Sequence, residues 1–221
     1  MISAAFTDYY ELTMSQGYYS RGMDRPAVFE CFFRHHPFGG GYSVFAGLGP
    51  LLEDLENLRF LPEDLVYLES LGAFSAEFLG YLESFRFRGD VWSVPEGEVV
   101  FPREPLLRVR GGLIECQIVE GLVLNRINFQ SLVASKTARI RHAARGGSIM
   151  EFGLRRAQGQ DGAASATRAS YIGGAAGTSN VLAARLYGIP AMGTMAHSWI
   201  MAFPSEKEAF EAYADLYPDS T

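Results

Sequence analysis

The sequence predicts an α/β protein in two parts, an N-terminal α+β domain over residues 1–147 and a run of parallel βα units over residues 148–221. Three observations carry this prediction. After Gly147, short apolar runs alternate with helical patterns, and strands separated by helices of that length pair in parallel. Between Val91 and Arg110 the apolar positions recur every second residue, the period of a strand with one buried face. From Leu113 to Ala144, Ile114, Ile118 and Leu122 recur at helical spacing.

The elements follow in order. Residues 7–20 read as a helix, with Thr7 or Asp8 able to cap it through a side-chain oxygen. Residues 27–33 are apolar and aromatic, like a buried strand, and Phe29, Phe32, Phe33 and Phe38 are expected in the core. Arg34 to Tyr42 is a loop in which Gly39, Gly40 and Gly41 let the backbone approach something closely, with His35 and His36 on its surface. Three short helices fit residues 50–88. Pro62 suits the start of one and Gly72 its end, and Ser75 caps the next, placing Phe78, Leu82 and Phe85 on one face. Val91, Val99, Phe101, Leu107 and Val109 form one small antiparallel sheet, which Gly111-Gly112 breaks. The long helix that follows is open to interruption near Asn125–Asn128 and ends at Gly146-Gly147. Its basic residues Lys136, Arg139, Arg141 and Arg145 suit a solvated face or an electropositive wall for a pyrophosphate. Ser148 to Phe152 is a strand, Asp161 to Ile172 a helix, and Ala175 to Gly177 a very short strand. Thr178 or Ser179 then caps a helix ending at Gly188, and Ile189 to Thr194 is the next strand. Ser205-Glu206-Lys207-Glu208 is a capping box that opens the last helix.

Composition sets the class. With 221 residues, 48% of them hydrophobic and 20% charged, the chain can bury a sizeable core. A formal net charge of −6 argues against nucleic acid as the main partner. No apolar run is long enough to span a bilayer, and Met1-Ile2-Ser3 does not begin a charged-then-apolar leader, so the cytoplasm is the expected compartment. Cys31 and Cys116 sit among apolar residues and read as buried free thiols. No paired Cys/His spacing marks a zinc site, and metal ligands are not identified.

In βα folds, ligands gather at the carboxyl ends of the strands. Arg155 and Arg156 follow the first strand, Thr178, Ser179 and Asn180 the second, and Thr194, His197 and Ser198 the third. Arginine offers bidentate donors to carboxylate or phosphate, and histidine can carry a proton or act as a nucleophile. These residue types on one rim suit an anionic substrate. Each also has a plainer role: a solvated arginine pair, a helix cap, a hydrogen-bonded core histidine.

Four segments go further. Thr7-Asp8-Tyr9-Tyr10-Glu11-Leu12-Thr13-Met14, Phe33-Arg34-His35-His36-Pro37-Phe38-Gly39-Gly40-Gly41-Tyr42, Glu151-Phe152-Gly153-Leu154-Arg155-Arg156-Ala157-Gln158-Gly159 and Gly193-Thr194-Met195-Ala196-His197-Ser198 closely resemble the nicotinate phosphoribosyltransferase family, in the right order and over nearly the whole chain. The resemblance implies an irregular, TIM-like α/β barrel of the type II phosphoribosyltransferase kind behind the N-terminal α+β domain. It implies synthesis of nicotinate mononucleotide and pyrophosphate from nicotinate and 5-phosphoribosyl 1-pyrophosphate, the entry step of NAD salvage, with ATP hydrolysis coupled through a phosphohistidine. By the same resemblance His197 is that histidine, Thr194 and Ser198 line its pocket, and Arg155 faces substrate anions. Tyr10 contacts the nicotinate ring in a site shared by two subunits of a homodimer, and Asn180 joins the substrate-binding set. Mg²⁺ is implied by the pyrophosphate chemistry. From Ser148 to Thr221 only about three βα units fit, whereas an eight-stranded barrel takes on the order of 250 residues. The expectation is therefore an incomplete barrel, with either the enzyme's remaining half elsewhere or a split or inactive piece acting as an assembly module.

Overall fold

The computed structural model describes residues 2–218. Helix α1 (Tyr9–Ser20) begins after Asp8, whose backbone N–H donates to Glu11 Oε2 at 2.9 Å. The capping expected of a Thr7 or Asp8 side-chain oxygen is not made; Glu11 reaches back instead, and Thr7 Oγ1 also donates to it. Strand β1 (Pro26–Cys31) follows, then β2 (Ser43–Val44). The helices α2 (Leu48–Asn57), α3 (Pro62–Ser70) and α4 (Ala76–Glu83) come next, the last capped by Ser75 Oγ accepting from Phe78 N–H. Phe78, Leu82 and Phe85 are buried, as their spacing requires.

The period-two segment makes two sheets, not the single one expected. Strands β3 (Asp90–Ser93) and β5 (Leu107–Gly112) pair antiparallel, and β1 joins β5 on its other side in the order β1-β5-β3. Strand β4 (Val99–Val100) instead pairs with β2. Gly111 and Gly112 extend β5 opposite Ala27 and Pro26 and do not break it. The aromatic run around β1 is not wholly core. Strand β1 lies at a sheet edge with one face turned outward, so Val28 is 53% exposed, and Phe32 and Phe38, beyond the strand in the loop, are each 50% exposed.

Helix α5 (Leu113–Ala143) runs through 31 residues with no interruption at Asn125–Asn128. It packs against α1, α2, β1 and β2, and Ile114, Ile118, Val119 and Leu122 join the main core. Its basic face is only partly solvated. Lys136 Nζ lies 4.8 Å from the centre of the Phe38 ring, and Arg139 donates to Phe38 O at 3.1 Å. The glycine loop therefore approaches Arg139: a Cβ on Gly40 would stand 2.7 Å from its guanidinium. His36 is drawn in as well, with ring centres 5.6 Å from Phe33 and 5.9 Å from Phe101, while His35 stays exposed.

After α5 come β6 (Met150–Glu151), α6 (Gly159–Ile172), β7 (Gly177–Thr178), α7 (Val181–Tyr187), α8 (His197–Met201) and α9 (Glu206–Leu216). Strands β6 and β7 are parallel, and Thr178 forms a further parallel bridge to Ala191. The expected third strand is thus reduced to that bridge, and α8 occupies residues the sequence pattern left unassigned. No helix among the described residues is long and apolar enough to cross a membrane. Both cysteines are buried and unpaired.

Two carboxylates govern how these elements seat on α5, with opposite response to pH. Glu96 accepts from Gly47 N–H at 2.6 Å and Leu48 N–H at 3.0 Å, tying the start of α2. It also takes a bidentate contact from Arg168 of α6, at 2.8 and 2.6 Å. Removal from water pushes this carboxyl up, but the Arg168 hydrogen bonds, the Gly47 amide and the Arg168 charge together leave it below its ordinary 4.5. Glu11 is fully buried against α5 and its Oε1 has no partner. Desolvation, reinforced by the charges of Glu120 and Asp8, raises its carboxyl despite the hydrogen bonds from Thr7 and Asp8. A depressed native pKa contributes stability that is present above the unfolded value and lost as pH falls through the folded one, and a raised pKa does the reverse. Arg168→Met is therefore expected to lower stability at neutral pH by roughly 2 kcal/mol. Glu96→Gln is expected to remove the part of the acid-side loss below pH 4.5 that Glu96 causes. Glu11→Gln is expected to stabilise at neutral pH, an advantage that shrinks on acidification toward 4.5. Urea denaturation of the three variants across pH 4–8 measures all of this.

Candidate functional site

The parallel register brings Glu151, Thr178 and Ala191 side by side, so the chain leaves all three by the same edge. Backbone bonds continue this order past the strand ends. Ser179 N–H donates to Glu151 O at 3.0 Å, Thr178 N–H donates to Pro190 O at 3.0 Å, and Met192 N–H donates to Thr178 O at 2.8 Å. The three segments carrying the sequence candidates are thereby anchored to one another.

Each candidate has a definite place. Arg155 lies in a 3₁₀ turn, Leu154–Arg156, just beyond β6 and is exposed, as is Arg156. Among the described residues neither arginine forms an ion pair. Asn180 is only 5% exposed, and its Oδ1 accepts from Ala183 N–H at 3.1 Å, so it is the cap of α7. This corrects the expectation that Thr178 or Ser179 caps that helix. Thr178 is held in the strand ladder with its hydroxyl turned to Glu151, leaving the cap to Asn180. Thr194 is exposed in the segment after Ala191, and His197 and Ser198 are exposed in the opening turn of α8. Trp199 steadies that helix: its indole N–H donates to Ala209 O at 2.9 Å, and its ring meets Phe203 at 4.9 Å. Arg155, Thr194, His197 and Ser198 therefore all belong to segments that leave the same edge, whereas Asn180 supports that edge from beneath. Tyr10 is elsewhere, half exposed on α1, which packs on α4 and α5. Desolvation, then the acids Glu120, Glu11 and Asp8, push its phenol above its ordinary value.

One organising residue was missed by sequence reasoning. The Glu151 carboxylate accepts from Thr178 Oγ1 at 2.7 Å, from Thr167 Oγ1 of α6 at 2.9 Å, and from Gly153 N–H. Its signal was available: an acid inside a short apolar strand, with threonines at the matching place in the next strand and helix. Close approach of the backbones also matters here. A Cβ on Gly177 would stand 2.6 Å from both Pro190 O and Met192 Sδ. No group of three or more His, Cys, Asp or Glu side chains among the described residues could hold a metal ion on its own.

Chemically, the segments leaving this edge carry exposed guanidinium, hydroxyl and imidazole groups on a hydrogen-bonded frame, a donor set suited to an anion. Gly177→Ala is expected to cost about 1–3 kcal/mol through this backbone clash. Asn180→Ala is expected to cost about 1 kcal/mol through loss of the cap. Thermal unfolding of each variant gives the value, and an unchanged midpoint in both would show the edge to be looser than described.

Comparison with known proteins agrees with the sequence motifs. Residues 6–128 match the nicotinate phosphoribosyltransferase N-terminal domain, and residues 148–217 match the nicotinate phosphoribosyltransferase family. The nicotinate phosphoribosyltransferase pncB2 of Mycobacterium tuberculosis is 55% identical over 217 residues, covering 98% of this chain and 47% of its own length. A Caenorhabditis elegans nicotinate phosphoribosyltransferase is 45% identical, covering 94% of this chain and 38% of its own. The crystal structure of human nicotinic acid phosphoribosyltransferase superposes with a TM-score of 0.83 at 40% identity, over 89% of this chain and 40% of that one. The chain spans less than half the length of these relatives. With a mixed α/β fold shared with that structure and both family regions matched in order, the chain belongs to the nicotinate phosphoribosyltransferase family.

Proposed function

We propose that the protein to which this chain contributes transfers the phosphoribosyl group of 5-phosphoribosyl 1-pyrophosphate to nicotinate, releasing pyrophosphate, in NAD salvage. The observation that carries this reading is the common edge left by the Glu151, Thr178 and Ala191 segments, in a chain of this family. On this reading β6, β7 and the Ala191 bridge are the first strands of an irregular α/β barrel, and residues 148–221 form its domain behind an N-terminal α+β domain.

The residues then divide the work. Loss of pyrophosphate builds positive charge on the ribose and negative charge on the leaving group, and Arg155 offers fixed donors to the latter. Mg²⁺ is implied by the pyrophosphate chemistry, and no cluster of side chains among the described residues is assigned to hold it. When bound it neutralises charge on the leaving group. The nicotinate ring nitrogen attacks the ribose carbon, and the protein's share is to hold the two in line. Tyr10, half exposed on the other part of the chain, suits stacking on a pyridine ring in a site completed by a second copy. His197, exposed beside Ser198 and Thr194, is the phosphate acceptor that couples ATP hydrolysis. A phosphoryl group there adds charge and oxygen acceptors next to the substrate.

A second reading makes the chain an assembly module without turnover of its own. It is supported by exposed apolar side chains on the helices that follow the parallel strands, Val181 of α7 at 74% and Met201 of α8 at 83%. Incubation of the intact or reconstituted protein with γ-labelled ATP, nicotinate and 5-phosphoribosyl 1-pyrophosphate separates the two. The enzyme reading expects label on the chain and nicotinate mononucleotide in solution. His197→Ala should abolish the label and slow nucleotide formation by about a hundredfold or more. Unchanged labelling and synthesis in that variant would remove His197 from the mechanism. No synthesis by the intact or reconstituted protein would favour the assembly reading.

A further inference from the structure

We propose that Glu151 is a positioning residue that locks the three segments of the proposed anion site into one unit, with Thr178 as its relay. The inference rests on the reading of that edge as the substrate site, but its geometry stands independently.

Both oxygens of the carboxylate are engaged. Oε1 receives Gly153 N–H, which fixes the bend leading into the turn that carries Arg155. Oε2 receives the hydroxyls of Thr167 and Thr178, at 2.9 and 2.7 Å. A hydroxyl that donates its one proton to a carboxylate keeps lone pairs free, and Thr178 Oγ1 uses one to accept Asn180 N–H at 2.9 Å. The side chain of Asn180 then caps α7. A directed chain thus runs from Asn180 N–H through Thr178 Oγ1–H to Glu151, and across the same carboxylate to Gly153 N–H. The backbone of Thr178 supplies the third arm through its bonds to Pro190 and Met192, in the segment that leads to Thr194 and His197.

The residue types follow from this arrangement. All three groups facing the carboxylate are donors, so an acceptor with two equivalent oxygens is required. A glutamine would turn its NH₂ toward the Gly153 N–H and break that arm, or toward the hydroxyls, which could then keep contact only by accepting, reversing the chain and losing the charge assistance. An aspartate, one methylene shorter, would not span from Gly153 to Thr178. A valine at 178 keeps the shape and loses the relay, whereas a serine keeps the hydroxyl.

Hydrogen exchange on the ligand-free chain, read by mass spectrometry, tests this without requiring activity. Thr178→Val should accelerate exchange by about tenfold in peptides covering residues 153–157 as well as 178–181, although residues 153–157 belong to a different strand end. Glu151→Gln should do the same, and Thr178→Ser should restore near-native exchange in both. Acceleration confined to 178–181 in Thr178→Val, or failure of Thr178→Ser to rescue, would overturn the proposal. Should Glu151→Gln not fold, the two Thr178 variants carry the test. Pyrophosphate binding measured in parallel reports on the site reading alone. Coupled exchange without binding would keep the positioning role and reject the site, and binding without coupled exchange would do the opposite.

Discussion

The constraint on which the parallel-strand end of this molecule depends is the need to satisfy a carboxylate at the end of a two-residue strand. β6 and β7 are too short to align the chain by their own ladder. Their register is fixed instead by the side chain of Glu151, by the close backbone approach that Gly177 permits, and by the two bonds that Thr178 exchanges with the 190–192 segment. Charge-assisted hydrogen bonds are stronger than neutral ones and directional, so a single acid can orient three segments where packing alone would leave latitude. The segments that carry the exposed groups are tied to one another by this half-buried network.

A second joint connects that end to the larger core. Glu96 ties the entry of α2 and receives the guanidinium of Arg168, a residue of α6. The apolar contacts there are small, with Val44, Ala46, Ala134 and Ala169 forming the buried cluster between α5, β2 and α6. Small side chains allow close helix packing but bury modest area, so a bidentate ion pair with both partners largely enclosed has more to contribute here than in the aromatic core beneath α4.

Much of this was legible in the sequence where the signal was local. Ser75 and Ser205 announce helix starts by chemistry that acts within one turn, and both cap as expected. The helical spacing of Ile114, Ile118 and Leu122 reads as a buried stripe and is one. What failed was long-range. Period two marks Val99 and Val109 as strand residues but cannot say that they belong to different sheets, because pairing partners are set by tertiary packing. Phe32 and Phe38 look like core by type, yet they lie in the loop beyond an edge strand, where one side is unpacked. The candidate site was read from residue types following predicted strands. The division between groups that face outward, such as Arg155 and His197, and those that build the frame, such as Asn180 and Glu151, required knowing which hydrogen bonds are already made.

Family membership and geometry lead to the same edge from independent directions, the one through motifs and the other through strand register. The claim that joins them is that this edge is a single anion-binding mouth. The most direct measurement is a titration of the isotopically labelled chain with inorganic pyrophosphate, followed by backbone and side-chain resonance shifts. The account predicts that signals from Gly153–Arg155, Ser179–Asn180 and Thr194–Ser198 move together along one saturable curve. Shifts confined to Lys136 and Arg139 on α5, or separate curves for the three segments, would contradict it.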